Sequence, residues 1–504
     1  MLDRREELLP TRSGLPTARC NGIYLHSQYD PLKEADQYLR SLSLPAKPGT
    51  ILVLGSGMGY LEYCLEKRYP QRKILSIQFS PFFEGKTHHS LPPSQCWHPG
   101  QERTVEEFLY HQIEGAEFVD LQIVSWRPGF QAYPDVSRWV SEKVLQVIRE
   151  MSRSIQTTYM FGRKWILNSI RNFLFHSPLY RLNLSHHPVC IVASGPSLNR
   201  SLPDLHRYRD RYLLWALPSS LLALYQNRLA PDLVIMTDGG SHAPRLVHPW
   251  LRQQTRAGSP LNLAIPITAA FIPPHPCLRT VLFHQGTGIE RLFLRSIPFP
   301  LEYVPSNGTV AGTALELAMK ITTGPILLFG LDLCTEGSLE HVRPHPFEVS
   351  FESSRVRGTE TPWIDRILEL YPLRISRIHR TSPSLSTYAG WFRTHSFRWK
   401  NRVVRISPSP MDTGMEERPS SFLEAFPPIA SSSLLTLEPE VSWEERKRTV
   451  RKALEDLQES LPAVDPDIAR AFDLLKSTPS RALDPRKRLG LALERILKDL
   501  GGRI

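Results

Sequence analysis

The sequence predicts an α/β protein, and three observations carry that expectation. Apolar, strand-like runs alternate with helix-like stretches across 187–410, the pattern of a parallel sheet wound with helices on both faces. A glycine-punctuated strand–turn–helix, Thr50 to Arg68, precedes it, and amphipathic stretches follow from Ser442. The expected organisation is a Rossmann-like N-terminal domain over 1–135, a helical connector over 136–186 and a central doubly wound parallel-sheet domain over 187–410. A linker over 411–440 and a C-terminal helical subdomain over 441–504 complete it. That last subdomain reads as a packing or dimer-forming element.

Composition narrows the function classes. A chain of 504 residues exceeds one typical core. A content of 41% hydrophobic and 22% charged residues places it among ordinary globular proteins. The net charge of +11 permits acidic partners, but Lys and Arg are scattered. No RNA-stacking motif or zinc-finger spacing accompanies them, so nucleic acid is not an expected partner. The six cysteines form no CxxC pair, which argues for a reducing compartment and against a disulfide scaffold or structural zinc. The start, MLDRREELLP, has no apolar signal core. No run approaches the roughly 20 apolar residues of a membrane span. A cytoplasmic protein without a membrane span is expected.

In the N-terminal part, Asp30 and Pro31 open a helix as N-cap and first residue. Strand residues from Thr50 lead into Gly55, Gly57 and Gly59, then a helix over 60–68 and a second strand over 73–77. A bound ribose calls for an acid at the end of that second strand. Gln78 stands there instead, with Glu84 a few residues on. The domain therefore reads as a scaffold more than a cofactor site. Residues 136–180 read as mostly helical.

The central domain offers strand candidates at 189–193, 212–217, 233–237, 262–265, 280–284, 326–330 and 402–406. Helices are expected at 198–208, 218–228, 308–320 and 385–395. Ligands of such sheets sit at the carboxyl ends of strands. The first strand, Val189 to Ala193, runs into Ser194, Gly195, Pro196, Ser197 and Leu198, a tight turn with Ser197 as N-cap candidate. Free backbone N–H groups at a helix start suit a phosphate. Asp238 ends the third strand and Asp332 the sixth. Ser306, Asn307, Gly308 and Thr309 precede an Ala-rich helix, a second helix start with small polar groups.

His341 and His345 have the HxxxH spacing of a helical metal pair, but Pro344 and Pro346 argue against a helix, so no metal site is expected. The His186–His187 pair reads as loop. Gln285 and Gly286 end the fifth strand, and Tyr388, Trp391 and Phe392 read as core.

ASGPSL at 193–198, PDLVIMTDGG at 231–240, SNGTVAGTALELAM at 306–319 and LLFGLDLCTEGSLEHV at 327–342 occur in order. Together they resemble the motility-associated factor glycosyltransferases, with their central domain of unknown function 115. NGIYLHSQYDP and TILVLGSGMGY resemble that family's Rossmann-like leader. The superfamily includes an archaeal 6-hydroxymethylpterin pyrophosphokinase (MptE-like), and the central domain also resembles bacterial sialyltransferases that use CMP-sugars. The resemblance implies transfer of a nonulosonic acid, such as pseudaminic or legionaminic acid, from a CMP-sugar to Ser or Thr of flagellin. Residues 194–198 and 306–309 with Asp238 would then bind the donor, and Asp332 would lie at the site.

The sialyltransferases carry a tyrosine where Leu333 and Cys334 stand, and their base histidine falls near Arg380, beside His379. Candidate bases are His379 and His341, with Arg380 supporting the departing phosphate. This chemistry requires no cofactor or metal. A pyrophosphokinase would instead need Mg2+ on Asp238 and Asp332. A non-catalytic flagellin-binding protein is the third reading.

Overall fold

The computed structural model describes residues 6–42, 44, 49–113, 121–240, 242–287, 290, 293–294, 297, 299–353, 363–429 and 433–459. Two compact units divide the chain, one reaching to Met160 and one beginning at Phe161.

The N-terminal unit opens with an antiparallel sheet of β1 (Glu6–Leu9), β2 (Thr17–Cys20) and β3 (Ile23–Tyr24), then α1 (Pro31–Ser41). Asp30 caps α1 by accepting the Lys33 N–H, as its place before Pro31 predicts. A parallel sheet follows, in the order β6–β5–β4–β7. Its strands are β4 (Thr50–Leu54), β5 (Lys73–Ile77), β6 (Cys96–Trp97) and β7 (Gln122–Ser125). The helices α2 (Tyr60–Arg68), α3 (Val105–Gln112) and α4 (Arg127–Ala132) accompany them. The glycine-rich loop after β4 is filled by the protein itself. Gln78 accepts the Gly57 N–H at 2.9 Å and donates to the Ser56 and Ser76 hydroxyls. His26 takes the Met58 N–H, and the Ile77 carbonyl takes that of Gly55. Three amides of the loop, those of Gly55, Gly57 and Met58, are thereby paired within the protein.

Helix α5 (Pro134–Phe175) spans the division between the units. Beyond it, β8 (Leu179–Leu182) ends the stretch read as a connector and enters the large sheet.

The sheet of the second unit runs β19–β18–β15–β9–β10–β11–β12–β13–β8–β20, with β14 also on β13. Its central strands are β9 (Val189–Val192), β10 (Leu213–Ala216), β11 (Leu233–Ile235), β12 (Leu261–Pro266), β13 (Leu278–His284) and β15 (Ile326–Phe329). The short β14 (Glu302–Tyr303), β18 (Val403–Arg405), β19 (Glu416–Glu417) and β20 (Leu435–Leu437) extend it. All pair in parallel except β20, which is antiparallel to β8. Alternate residues serve opposite faces: Cys190 and Val192 join one core, Val189 and Ile191 the other. The first face lies under α6 (Leu198–Arg207), α7 (Leu221–Gln226) and α8 (Ala243–Ala257). The second lies under α9 (Val310–Ile321), whose Ala311, Ala314 and Ala318 let it pack close. This is the doubly wound parallel sheet that the alternation predicts.

Three differences from the sequence reading stand out. The long α8 lies in a stretch where no helix was expected. An insertion after β15 carries the unexpected α10 (Pro346–Ser353), α11 (Trp363–Leu370) and a hairpin of β16 (Leu373–Arg374) and β17 (Arg380–Thr381), before α12 (Pro383–His395), the helix expected at 385–395. Residues 411–440, read as a linker, supply β19 and β20 to the sheet; strands this short, set in a Pro- and Ser-rich stretch, carry no periodic signal. Of the C-terminal subdomain, the structure describes α13 (Trp443–Glu459); the expected helices beyond it lie outside the described residues. Arg446 of α13 is buried and donates to the carbonyls of Val441, Phe173 and His176.

Candidate active site

Strands β9 to β13 follow one another across the sheet in one direction. The chain then returns through α9 to place β15 on the other side of β9. At such a reversal the loops leave in opposite directions and open a crevice at the carboxyl ends. The β9 and β15 loops meet there. Ala193 N–H donates to the Phe329 carbonyl and Gly195 N–H to that of Gly330, both at 2.8 Å. Gly330 has φ +64°, and a Cβ on it would lie 2.5 Å from the Ala193 oxygen. A Cβ on Gly195 would lie 2.5 Å from the Gly330 oxygen and 2.6 Å from the Asp332 carboxylate. Both positions need glycine because backbone fills the space of a side chain.

Ser197 and Asp332 join the two loops. Ser197 donates its N–H to Asp332 Oδ2 at 2.7 Å and its hydroxyl to Oδ1 at 2.5 Å. Both residues are buried. Burial raises the Asp332 pKa, while the Ser197 bonds, Arg200 and Arg405 oppose the rise. Ser407 takes the Leu331 N–H, and Ser409 donates to the Asp332 carbonyl at 2.6 Å. Arg405, 2% exposed, braces that segment through the carbonyls of Met411 and Ser409 and the carboxylate of Glu417.

This geometry corrects the reading of the 194–198 turn. The Ser197 N–H offered to a phosphate is held by the carboxylate of Asp332. The N–H groups of Leu198, Asn199 and Arg200 close turns on the carbonyls of Gly195, Pro196 and Ser197. Leu198 is a core residue and Pro196 is buried. Asp332, expected to meet a substrate hydroxyl, spends both oxygens on Ser197. The turn is also tied to the chain after β15, with the Ser194 carbonyl accepting the Val342 N–H at 2.7 Å.

The remaining candidates are distributed along the same edge. Thr309 caps α9 by accepting the Gly312 N–H, and Gly308 has φ +72°. Ser306 is exposed, while the Asn307 amide nitrogen is shielded from solvent without a partner. Tyr388 borders Gly308. Asp238 is exposed, two strands from β9, and accepts the Gly240 N–H at 2.6 Å. His379 and Arg380 lie on the β16–β17 hairpin, which is tied to the chain after Asp332 through Thr381 to Leu333 O and Thr335 N–H to Arg380 O. The Arg380 guanidinium donates to the carbonyls of Tyr371 and Pro372, and His379 Nδ1 lies 2.8 Å from the Ser376 hydroxyl. His341 directly precedes Val342, the residue bonded to Ser194.

Sequence reasoning missed three supports. Asn168 donates to the carbonyls of Gly239 and Thr268, and Asn172 to those of Ile267 and Ala269, so α5 holds the loops after β11 and β12. Their i, i+4 spacing on an apolar stripe was the available signal. The fully buried Glu290 gathers the N–H groups of Gln285 and Thr287 with the hydroxyls of Thr287 and Thr268. Ser407 and Ser409 lay in the presumed approach to a linker.

Residues 166–338 match the family model described as 6-hydroxymethylpterin diphosphokinase MptE-like. The matched stretch is similar to an MptE-like domain. This domain holds the Ser197–Asp332 pair, Asp238 and the 306–309 turn, and it ends before His341. Two uncharacterized proteins of Treponema pallidum (strain Nichols) are similar to the chain. One is 27% identical over 317 residues, covering 62% of this chain and 66% of that protein. The other is 22% identical over 116 residues, covering 22% and 55%. The matched stretch thus spans less than two thirds of either relative. The solved structure of a MAf glycosyltransferase from Magnetospirillum magneticum AMB-1 aligns over 98% of this chain and 86% of its own. The TM-score is 0.55 at 11% identity, a likeness of fold. The MptE-like domain therefore sits within a fold shared along nearly the whole chain.

Proposed function

We propose that this protein is a cytoplasmic glycosyltransferase that moves a nonulosonic acid, such as pseudaminic or legionaminic acid, from a CMP donor to a Ser or Thr hydroxyl of flagellin. The observation that carries the reading is the reversal of strand order at β9–β15, in a fold shared with a MAf glycosyltransferase. In this reading the hydrogen-bonded 194–198 turn borders the donor and the start of α9, after the 306–309 turn, supports the departing phosphate. His341 is the favoured base over His379. It lies one residue from the Val342–Ser194 bond, whereas His379 is engaged with Ser376 inside its own hairpin.

The pyrophosphokinase reading fits less well. It needs carboxylates free for Mg2+, and Asp332 is buried and committed to Ser197. Asp238 keeps one oxygen in its own turn.

Thermal-shift measurements with CMP, CTP, ATP and Mg2+ separate the readings. CMP is expected to stabilise the protein without metal. Stabilisation by ATP only in the presence of Mg2+ would replace the transferase with the kinase. Indifference to every nucleotide would favour a flagellin-binding protein.

A further inference from the structure

The prolines that exclude a helix at 341–346 do not separate the two histidines there. The rings of His341 and His345 lie face to face, centroids 3.9 Å apart and planes within 6°. In-plane lone pairs of parallel rings do not converge, so this arrangement does not suit one shared metal ion. His345 is fully buried and its Nε2 has no hydrogen-bond partner; the same holds for Nδ1 of the half-buried His341. The segment is tied to the 194–198 turn and to α6. Val342 N–H donates to Ser194 O, and Arg343 N–H to Asn199 Oδ1 at 3.2 Å.

The surroundings are defined. Glu340 and Arg366 of α11 are the charged groups acting on His341. Phe347 packs edge-on against His345, and Arg343 pairs with Glu348 on α10. Two stacked imidazoles removed from water share a constraint. Each pays to become charged, and a proton on His341 opposes one on His345, while the neutral His345 ring keeps water from the face of His341 that it covers.

We propose that His345 is a positioning residue that fixes the ring of His341 and keeps it neutral, so that His341 accepts the proton of the incoming hydroxyl. The inference rests on the transferase reading above. In the step, the acceptor O–H proton passes to the His341 ring as the acceptor oxygen bonds to the anomeric carbon. The bond from that carbon to the CMP phosphate oxygen breaks, and its electron pair leaves with CMP. Burial lowers the His345 pKa to about 3, with His341 adding to the effect, and burial also lowers that of His341. A base must be unprotonated at the working pH, and this stack provides that condition.

The test uses the full chain with 15N-labelled histidine and follows the ring signals against pH without substrate. His341 is expected to titrate below 6.5. His345→Ala should raise that midpoint by roughly half a unit or more, and His345→Phe, which keeps a stacked ring, should leave it low. A wild-type midpoint at or above the ordinary value overturns the proposal without any variant, as does an unmoved midpoint in His345→Ala. If that variant does not fold, His345→Gln serves the same comparison. With CMP-sugar and flagellin, His345→Ala should lower kcat with KM unchanged and shift the acid limb of the kcat profile upward, with recovery in His345→Phe. A wild-type protein that shows the coupled titration but transfers nothing overturns the transferase reading alone. Transfer with an unaltered pH profile in His345→Ala overturns the role of His345 alone.

Discussion

Ser197 gives both its backbone N–H and its hydroxyl to the two carboxylate oxygens of Asp332, 135 positions further along the chain. The pair closes the β9 loop onto the β15 loop at the point where the sheet reverses its strand order. It places an internal anion at the start of α6, where a helix would otherwise attract an external one. Asp332→Ala leaves two buried donors without an acceptor. The expected cost is about 2–4 kcal/mol, read as a lower urea midpoint. Ser197→Ala removes one of the two bonds and should cost less. Equal stability in Asp332→Ala and wild type would show that the pair does not hold the loops.

The same junction makes Gly195 and Gly330 intolerant of a side chain. Neither contact can relax cheaply, because backbone oxygens stand 2.5 Å from the Cβ positions. Gly330 adds a left-handed φ of +64°. Gly330→Ala is expected to destabilise the second unit by at least about 2 kcal/mol. Gly258→Ala, which also has positive φ but no neighbour within 4 Å, should cost less. Denaturation of the two variants side by side checks the ranking.

Acid should destabilise the fold. Burial lowers the pKa of His26 and His345 to about 3 and of His176 to about 4, from 6.5. Below 6.5 the unfolded chain therefore binds protons that the folded chain refuses. Their contribution is fully present above 6.5 and is lost as pH falls toward 4, by up to ~1.4 kcal/mol per histidine per pH unit. Asp332 acts in the opposite direction, since its pKa is raised from 3.8 and acid therefore favours its folded form. Urea midpoints at pH 7.5 and 5 should differ clearly, and His176→Phe should reduce the difference.

Arg446 ties α13 to the end of α5 through the carbonyls of Phe173 and His176, and also donates to Val441 in its own segment. Arg446→Ala should cost about 3 kcal/mol or more, since each carbonyl loses a charged donor. Limited proteolysis should then cut near α13 at a protease concentration that leaves the wild type intact. Lys in place of Arg recovers part of the loss at most, because a single ammonium cannot span all three oxygens.

In the N-terminal unit, Gln78 occupies the amide that a nucleotide would use. Gln78→Leu leaves the Gly57 N–H without its acceptor and takes a donor from the Ser56 and Ser76 hydroxyls, which keep Glu62, with an expected cost of about 1–3 kcal/mol. Equilibrium dialysis of the wild type with a dinucleotide should show no binding dependent on this loop. Binding abolished by Gln78→Leu would restore a cofactor role to it.

Much of the architecture was legible because period and punctuation are local. Val189 to Val192 and Ile326 to Phe329 are continuous apolar runs buried on both faces, and Ser194 to Ser197 ends the first as glycine and proline demand. What stayed hidden was short or irregular. β19 and β20 have three residues or fewer, and their place at the sheet edges comes from partners far along the chain. In α8, His242 to Pro249 begins with a mixture of polar residues and prolines, which masks the apolar face of Val247, Trp250 and Leu251.

The sequence by itself determined the fold class, the doubly wound sheet and the edge at which the candidate residues gather. Strand period, glycine turns and helix starts are properties of neighbouring residues. Only the tertiary structure decided what each polar group is free to do. Ser197 reads as an open cap and is closed by Asp332, while His341 and His345, with Pro344 between them in the sequence, stack face to face. Hydrogen-bond capacity is finite, and whether a donor is available to a ligand depends on acceptors brought from distant parts of the chain.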